Sequence, residues 1–486
     1  MSPEFAWLME MGTGKTATDI WDSGKLFKNE LIDGWIIIAP NGVYRGWGIT
    51  ELPKFANVPY RVATYSSTNL KAGRAEVAEL CKGPCDPRVL DILLINVEAL
   101  AIRKTKGKAK PKKKGHPKAA DVINAFFKSH SKVKTSVDES TTIKNPKAAR
   151  TQACWKIGAV SKYRRILTGF PYPQAPLDAF GQFYFLNPGI LKYPNIYGFK
   201  AHYATTTTMK IRTGGFDDFG NAKTRKIEVV NGYRNLDELQ DRVGDHSYRA
   251  LKKDCLDLPP KTYATREVEL TDEQREVYDE VLAYGFAEFE AAATVTVQMK
   301  LTLNLRLQQI VAGHVGLDGG VGVRRLKSRR IDAVLDMLEE TSGKVVLWSH
   351  FVPTIEDIVE GIAKKFGPAS VAGFYGATKK DDREAIKLNF QDPDHPLRFF
   401  VANPQTGGTG LTLTAAPTAF YVTNSFNLEH RVQSEDRIHR IGQTLSTLYM
   451  DFVSPGTVEM KVRESLVVKK MTATQALGES WDSWLA

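Results

Sequence analysis

The first residues in this sequence whose types and spacing could do chemistry are a glycine-rich run ending in lysine and threonine. Residues 9–16 read MEMGTGKT, close to the start of a 486-residue chain. In such a loop the backbone N–H groups and the N-terminus of the following helix cradle phosphate oxygens. The lysine neutralises charge and the hydroxyl of Ser or Thr binds Mg²⁺. FAWLM ahead of it reads as a short strand and GKTATDIWDSG as the start of a helix, so Gly12, Thr13, Gly14, Lys15 and Thr16 are the candidate nucleotide-binding residues. The strict pattern G-x-x-x-x-G-K-[ST] would place glycine at position 9, where the chain has Met9.

Two further stretches fit the same chemistry. SVDESTTIKN places Asp138 and Glu139 at the end of the strand-like VKTSV. Adjacent acids there suit nucleotide hydrolysis: Asp138 holds Mg²⁺, directly or through water, while Glu139 orients and deprotonates the attacking water. Near the other end, QSEDRIHRIGQ (residues 433–443) contains Arg437 and Arg440. Three residues apart on a helix, they would project from one face and could reach a γ-phosphate as arginine fingers. Such contacts are worth roughly 10³–10⁵ in rate.

These residues need elements to position them. Over residues 1–190, GWIIIAPN, VLDILLINVEAL, VKTSVDES and RRILTGFP read as strands that end in polar, Gly or Pro residues, the pattern of a parallel sheet whose loops carry chemistry. Residues 191–256 turn aromatic, basic and Gly-rich, with a helix-like NLDELQDRVG and no comparable strands, and read as a helical insertion. Residues 257–329 open with a Pro-Pro break and a strand-like run, followed by TDEQREVYDEVLAYGFAEFEAAA, a long helix with a Thr N-cap and an acidic first turn. The α/β rhythm returns over residues 330–470 with GKVVLWSHF, SVAGFYGA, LRFFVANPQ and TAFYVTNS, and residues 471–486 form a tail. The expected architecture is two α/β lobes joined by helical material.

Composition narrows the class. Hydrophobic residues make up 42% of the chain, enough for a core in each lobe, and no apolar run approaches the ~20 residues of a membrane span. The first residues lack the pattern of a signal peptide, and Cys81, Cys85, Cys154 and Cys255 are too scattered for a disulfide scaffold. A cytoplasmic protein with no membrane partner is the simplest consequence. Net charge is +11, but residues 103–118 hold nine Lys/Arg and no acid, leaving +2 elsewhere. That segment reads either as a solvated loop or as a flexible arm adding salt-dependent affinity for phosphate backbones.

In order, MGTGKT, VDESTTIKN, LTGFPYP, GGTGLTL and QSEDRIHRIGQ resemble the motifs of Swi/Snf-type ATPases, the DNA-translocating branch of helicase superfamily 2. KKDCLDLPPK and LRLQQIVAGH are similar to phrases in its compact bacteriophage and bacterial members. The resemblance implies two RecA-like lobes whose parallel sheets flank an ATP cleft, with helical insertions. It implies ATP and Mg²⁺ as cofactors, double-stranded DNA as partner, and a bacterial or phage-infected cytoplasm. Lys15 and Thr16 would bind phosphates and Mg²⁺, with Asp138 and Glu139 as the acidic pair. Thr168 and Gly169 would couple nucleotide to nucleic acid, and Gly408, Gly410 and Leu411 would link DNA contact to the cleft. Gln433, Arg437 and Arg440 would form the last motif.

Departures accompany the resemblance. Thr141 stands where a His commonly couples hydrolysis to DNA, and Phe170 where a small residue is usual. Asn424, Phe426 and Leu428 replace the usual Asp, Trp and Pro. Relatives also carry a Gln that reads adenine well ahead of the phosphate loop. The eight residues before Met9 cannot supply it, so the chain is expected either to start late or to recognise adenine poorly. The leading expectation is a DNA-stimulated ATPase moving along duplex DNA in replication, recombination or repair. Its rivals are a strand-separating DNA or RNA helicase, marked by a separation pin not recognisable in the sequence, and a nucleic-acid binding protein with weak turnover. A simple phosphotransferase would leave DRIHRIGQ unexplained. Protein partners, pathway and direction of movement are not legible.

Overall fold

Runs such as GWIIIA and LDILLIN have no polar face to turn to water, so they are stable only as strands covered on both sides. In the computed structural model, which describes residues 2–66, 71–101, 118–216, 222–291, 297–316, 322–407 and 411–479, they are central strands of a parallel sheet. Its strands are β1 (Glu4–Met9), β2 (Gly34–Ala39), β3 (Tyr60–Tyr65), β4 (Leu90–Asn96), β5 (Val133–Asp138) and β6 (Tyr163–Leu167). After a separate two-stranded ribbon of β7 (Ala204–Phe216) and β8 (Ala222–Tyr233) comes β9 (Ser247–Ala250). The order is β3-β4-β2-β5-β6-β1-β9, and every pairing is parallel.

The two-residue side-chain period divides the core by face. Ile36, Ile38, Leu93, Ile95 and Val137 pack in one cluster, and Trp35, Ile37, Ile92 and Leu94 in another.

A second parallel sheet takes β10 (Lys261–Glu267). Past a short antiparallel pair, β11 (His314–Gly316) and β12 (Val323–Arg325), it adds β13 (Val345–Trp348), β14 (Val371–Phe374), β15 (Phe399–Ala402), β16 (Thr418–Tyr421) and β17 (Thr447–Val453). Its order is β10-β17-β16-β13-β15-β14. Val345, Leu347, Phe399, Val401 and Phe420 face one cluster, and Val346, Trp348, Phe400, Ala402 and Ala419 the other. The chain divides into two units, Met1–Ala204 with Tyr233–Leu256 and Ala473–Glu479, and Thr205–Gly232 with Asp257–Thr472 and Ser480–Ala486.

The two-sheet α/β expectation is met, but the connecting segments differ from it. The stretch expected to be a helical insertion, 191–256, holds helices Ile196–Tyr203 and Leu236–Gly244, yet its middle is the β7–β8 ribbon and its end is β9. Four consecutive threonines, Thr205 to Thr208, and the later IEVV run are β-branched, a bias that favours extended backbone over helix. The strand-like run after the Pro-Pro break in 257–329 is β10, which joins the second sheet and so belongs to that lobe rather than to a linker. The long helix Asp272–Ala291 is present, and Thr271 Oγ1 accepts from the Gln274 N–H at 3.2 Å as its cap. Residues 103–117, Gly408 and Gly410 lie outside the described residues, and Lys118 is exposed at the start of helix Ala119–Ser129. Among the described residues, no helix is long and apolar enough to cross a membrane.

Candidate nucleotide site and the helix of the last motif

In a parallel sheet, ligands gather beyond the C-terminal ends of the strands. The adjacent order β5-β6-β1 therefore brings three sequence-distant motifs to one edge of the first unit. From β1 the chain turns through Gly12 (φ 90°) and Gly14 (φ 93°) into the helix Lys15–Lys28. A Cβ at either glycine would meet nothing within 4 Å, so the requirement is for left-handed backbone rather than for space. Thr13 Oγ1 donates to the Glu10 carbonyl at 2.8 Å and tightens the turn. The helix has no side-chain N-cap and no acid in its first turn, which leaves the dipole's positive end for an anion. Lys15 is buried, with Nζ 3.4 Å from the Met9 carbonyl, and Thr16 is half-buried beside it.

At the end of β5, Asp138 is buried and Glu139 takes the left-handed conformation, φ 47°. Burial pushes the Asp138 carboxyl above its ordinary range, against the pull of the Lys15 charge and of two N–H donors. Those donors are the Trp47 indole to Oδ2 at 2.9 Å and the Glu139 backbone to Oδ1 at 3.0 Å. A buried carboxylate with lone pairs to spare, in the field of the phosphate-loop lysine, fits a cation held with a nucleotide, and the Thr16 hydroxyl is chemically suited to be the second ligand.

The third motif is clasped to the loop. Thr168 N donates to the Trp7 carbonyl at 3.1 Å. A Cβ on Gly169 would sit 3.3 Å from Met11 N and Met9 O, a tight contact with backbone that shows how closely this turn passes the loop. Arg249 of β9 donates to the Leu8 and Gly169 carbonyls at 3.0 and 2.9 Å, and its Nε meets Glu479 at 2.6 Å. Gln182, fully buried, ties the second motif to the third: its Oε1 accepts from Ser140 at 2.7 Å and its Nε2 donates to the Pro171 carbonyl at 2.7 Å. Thr141, in the position of the usual His, is buried in the turn Ser140–Ile143. Phe170 packs against the first core cluster.

In the second unit, helix Leu428–Ile438 carries Gln433, half-buried, and Arg437, buried. The expectation that Arg440 projects from the same helix needs correcting, because the helix ends at Ile438, with His439 as its C-cap. Gly442 at φ 98° completes the turn out of it. The two arginines converge nonetheless: Arg437 and Arg440 both donate Nη1 to the Leu411 carbonyl, at 3.3 and 3.1 Å, joining the GGTGLTL motif to QSEDRIHRIGQ.

The base of this helix holds a buried charge network. Arg431 meets Glu435 at 2.8 Å, Asp451 at 2.5 and 3.0 Å and Asn424 Oδ1 at 3.1 Å, with its guanidinium 3.5 Å from the centre of the Tyr421 ring. Asn424 Nδ2 donates to Asp451 at 2.6 Å, so this departure has a physical reason. An Asp there could not donate and would set a second carboxylate against Asp451. Burial raises the Glu435 carboxyl, but Lys261 and Arg431 overcome it and hold the group at about 2.

Trp47, Gln182, Arg249 and Arg431 were not singled out from the sequence. The available signal was polar residues inside apolar strands, Lys134 and Ser136 in β5 above all, since buried polar groups require partners.

The SNF2-related domain matches residues 8–314, and the helicase conserved C-terminal domain matches residues 328–442. The chain belongs to the SNF2-related family. A probable ATP-dependent DNA helicase of Arabidopsis thaliana is 24% identical over 94% of this chain and 38% of its own length. An uncharacterized ATP-dependent helicase of Mycoplasma genitalium is 26% identical over 93% of this chain and 38% of itself. The DNA excision repair protein CSB of Oryza sativa subsp. japonica is 26% identical over 70% of this chain and 28% of itself. This SNF2-related chain thus spans under two-fifths of the length of these curated relatives. Among solved structures, the Sulfolobus solfataricus SWI2/SNF2 ATPase core in complex with dsDNA is similar at 23% identity and a TM-score of 0.36, covering 97% of this chain and 90% of that one.

Proposed function

We propose that the protein hydrolyses ATP and uses the cycle to move along double-stranded DNA. The observation that carries the reading is the meeting, on one sheet edge, of a capless helix N-terminus with Lys15, and a buried Asp138 beside Glu139. Gly12, Thr13, Gly14, Lys15 and Thr16 bind the phosphates, and Thr16 and Asp138 hold Mg²⁺, which neutralises phosphate charge when bound. Glu139 orients the attacking water and accepts its proton. Arg437 and Arg440 stabilise the charge that develops on the γ-phosphate, with Gln433 on the helix that carries Arg437. Thr168 and Gly169, and Leu411 with Gly408 and Gly410, pass the nucleotide state to the nucleic-acid track. Replication, recombination and repair are the processes such a motor serves.

The test is ATP hydrolysis measured with no nucleic acid, duplex DNA, single-stranded DNA and RNA, with Lys15→Ala as the blank. Strong stimulation by duplex DNA without strand displacement is the expected result, and no turnover under any condition overturns the enzyme reading.

One observation favours a second reading. The β7–β8 ribbon is an isolated pair of long strands, and Thr205 to Thr208 on it are all exposed. A two-stranded hairpin is what a strand-separating helicase uses as a pin. If replacing residues 209–228 with a short Gly-rich turn abolishes displacement of an annealed strand while duplex-stimulated hydrolysis persists, the second reading replaces the first.

A further inference from the structure

One face of β5 carries a polar residue at every second position: Lys134, Ser136 and Asp138, none more than 5% exposed. Each has a partner. Lys134 Nζ reaches the phosphate-loop helix at Asp19 Oδ1 (2.8 Å), Asp22 Oδ2 (2.8 Å) and Ser23 Oγ (2.7 Å). Ser136 Oγ accepts from the Trp35 indole at 2.9 Å, and Asp138 Oδ2 accepts from the Trp47 indole at 2.9 Å. The indoles meet edge to face, ring centres 5.9 Å apart at 87°, and Lys134 Nζ lies 5.0 Å from the centre of the Trp35 ring. The stripe therefore runs unbroken from the helix that opens at the phosphate loop to the carboxylate at the end of the strand.

Trp47 is placed for this contact by an unusual turn. It begins a π-helical turn, Trp47–Glu51, and is 1% exposed. Such turns are rare and recur at functional sites. Rotation of an Asp carboxylate about its last bond is broad unless donors hold it. Here one N–H binds each oxygen, Trp47 on Oδ2 and Glu139 on Oδ1. Two donors use about two of the four lone-pair directions and leave the remainder for a cation or its water. An indole is also a donor only: unlike a hydroxyl or an imidazole, it cannot reverse the bond's direction.

We propose that Trp47 is a positioning residue for the cation that accompanies the nucleotide, acting through Asp138. This rests on the ATPase reading above and deepens it. Outer donors of this kind typically tune metal affinity by roughly 10–100-fold.

The test reads binding rather than turnover. The equilibrium affinity for a fluorescent, non-hydrolysable ATP analogue is measured over graded Mg²⁺ in the full chain and in Trp47→Phe, which keeps an aromatic ring and loses the donor. The Mg²⁺ concentration for half-maximal tightening is expected to rise about tenfold or more, while affinity without Mg²⁺ is unchanged. Trp47→His, which retains a ring N–H, is expected to recover part of the loss. A Mg²⁺ dependence in Trp47→Phe equal to that of the unaltered protein overturns the role of Trp47 and leaves the ATPase reading standing. An unaltered protein whose nucleotide affinity ignores Mg²⁺ sinks both. Should Trp47→Phe not melt cooperatively, 5-fluorotryptophan labelling of the unaltered chain reads the same contact. The Trp47 resonance, assigned from its loss in Trp47→His, is expected to move when Mg²⁺ is added to the nucleotide-bound protein, and a stationary resonance overturns the proposal.

Discussion

Glu139 adopts a left-handed backbone, φ 47°, directly after the buried Asp138, a conformation that costs a non-glycine residue roughly 1–3 kcal/mol. Strain of that size persists when the surroundings fix it, and here the Glu139 N–H is held by Asp138 Oδ1. If Glu139 accepts the water's proton, Glu139→Gln lowers turnover by roughly 10²–10⁴ while nucleotide affinity stays near that of the unaltered chain. Equal loss of both would show a binding role instead. A second residue-scale expectation concerns Lys134, whose side chain is fully buried between Asp19 and Asp22. Burial raises the Asp22 carboxyl, yet Lys134 and Arg165 bring it below its ordinary value. Lys134→Met leaves these acids without their shared cation, so unfolding by urea should show a loss of about 3–5 kcal/mol. A change under about 1 kcal/mol would mean that solvent reaches the site and screens the acids. Glu435 gives the pH dependence. Its carboxyl is depressed from 4.5 to about 2, so the stability it contributes is fully present above pH 4.5 and is lost as pH falls toward 2. Glu435→Gln should flatten that part of the acid unfolding curve of the second unit, and an unchanged curve would contradict the network's role.

Elements hold these residues through contacts that sequence spacing hides. Helix Ala179–Leu186 passes so near the turn after Glu139 that a Cβ on Gly181 would lie 2.3 Å from the Ile143 carbonyl and 2.6 Å from that of Lys144. Both obstacles are backbone, so Gly181→Ala must shift the helix or the turn. Overpacking of this kind costs roughly 1–3 kcal/mol, and a thermal melt should show it together with weakened hydrolysis, because Gln182 next in the chain binds Ser140. An unchanged melt would show that the helix adjusts freely. The same comparison explains what could be read in advance. The phosphate loop and the acid pair were legible because each is complete within a few consecutive residues. β2, β4, β13 and β15 were legible because apolar runs have only one use. β3, β9 and β17 were not singled out, since YRVATY, SYRA and TLYMDFV mix polar with apolar residues and their pairing is decided by strands distant in sequence. Trp47 is invisible for the same reason: its partner is 91 residues away, and nothing near it marks a lone Trp as a donor to a carboxylate. The ribbon was hidden by its Gly and Lys, which individually read as loop, although its threonines favour extended backbone. Arg440 was misplaced on a helix because its spacing from Arg437 suits one, whereas a left-handed Gly442 follows and the chain turns.

At the scale of the whole molecule, charge is the property that no single element explains. Nine of the basic residues fall in 103–118, and without them the chain is near neutrality at +2. A protein that tracks duplex DNA must bind it without reading sequence, and phosphate contacts supply that affinity through counterion release, with a slope of about −0.9 in log K against log salt for each phosphate neutralised. If residues 103–118 act as an arm on the backbone, changing their lysines to glutamine should weaken duplex binding and make the salt slope shallower by several units. ATP hydrolysis without DNA should be unaffected, since Lys15, Asp138 and Glu139 lie on other segments. The two measurements have to be read together. A shallower slope with normal DNA-free hydrolysis assigns the segment to the nucleic-acid track, whereas an unchanged affinity and slope means that these charges are merely solvated.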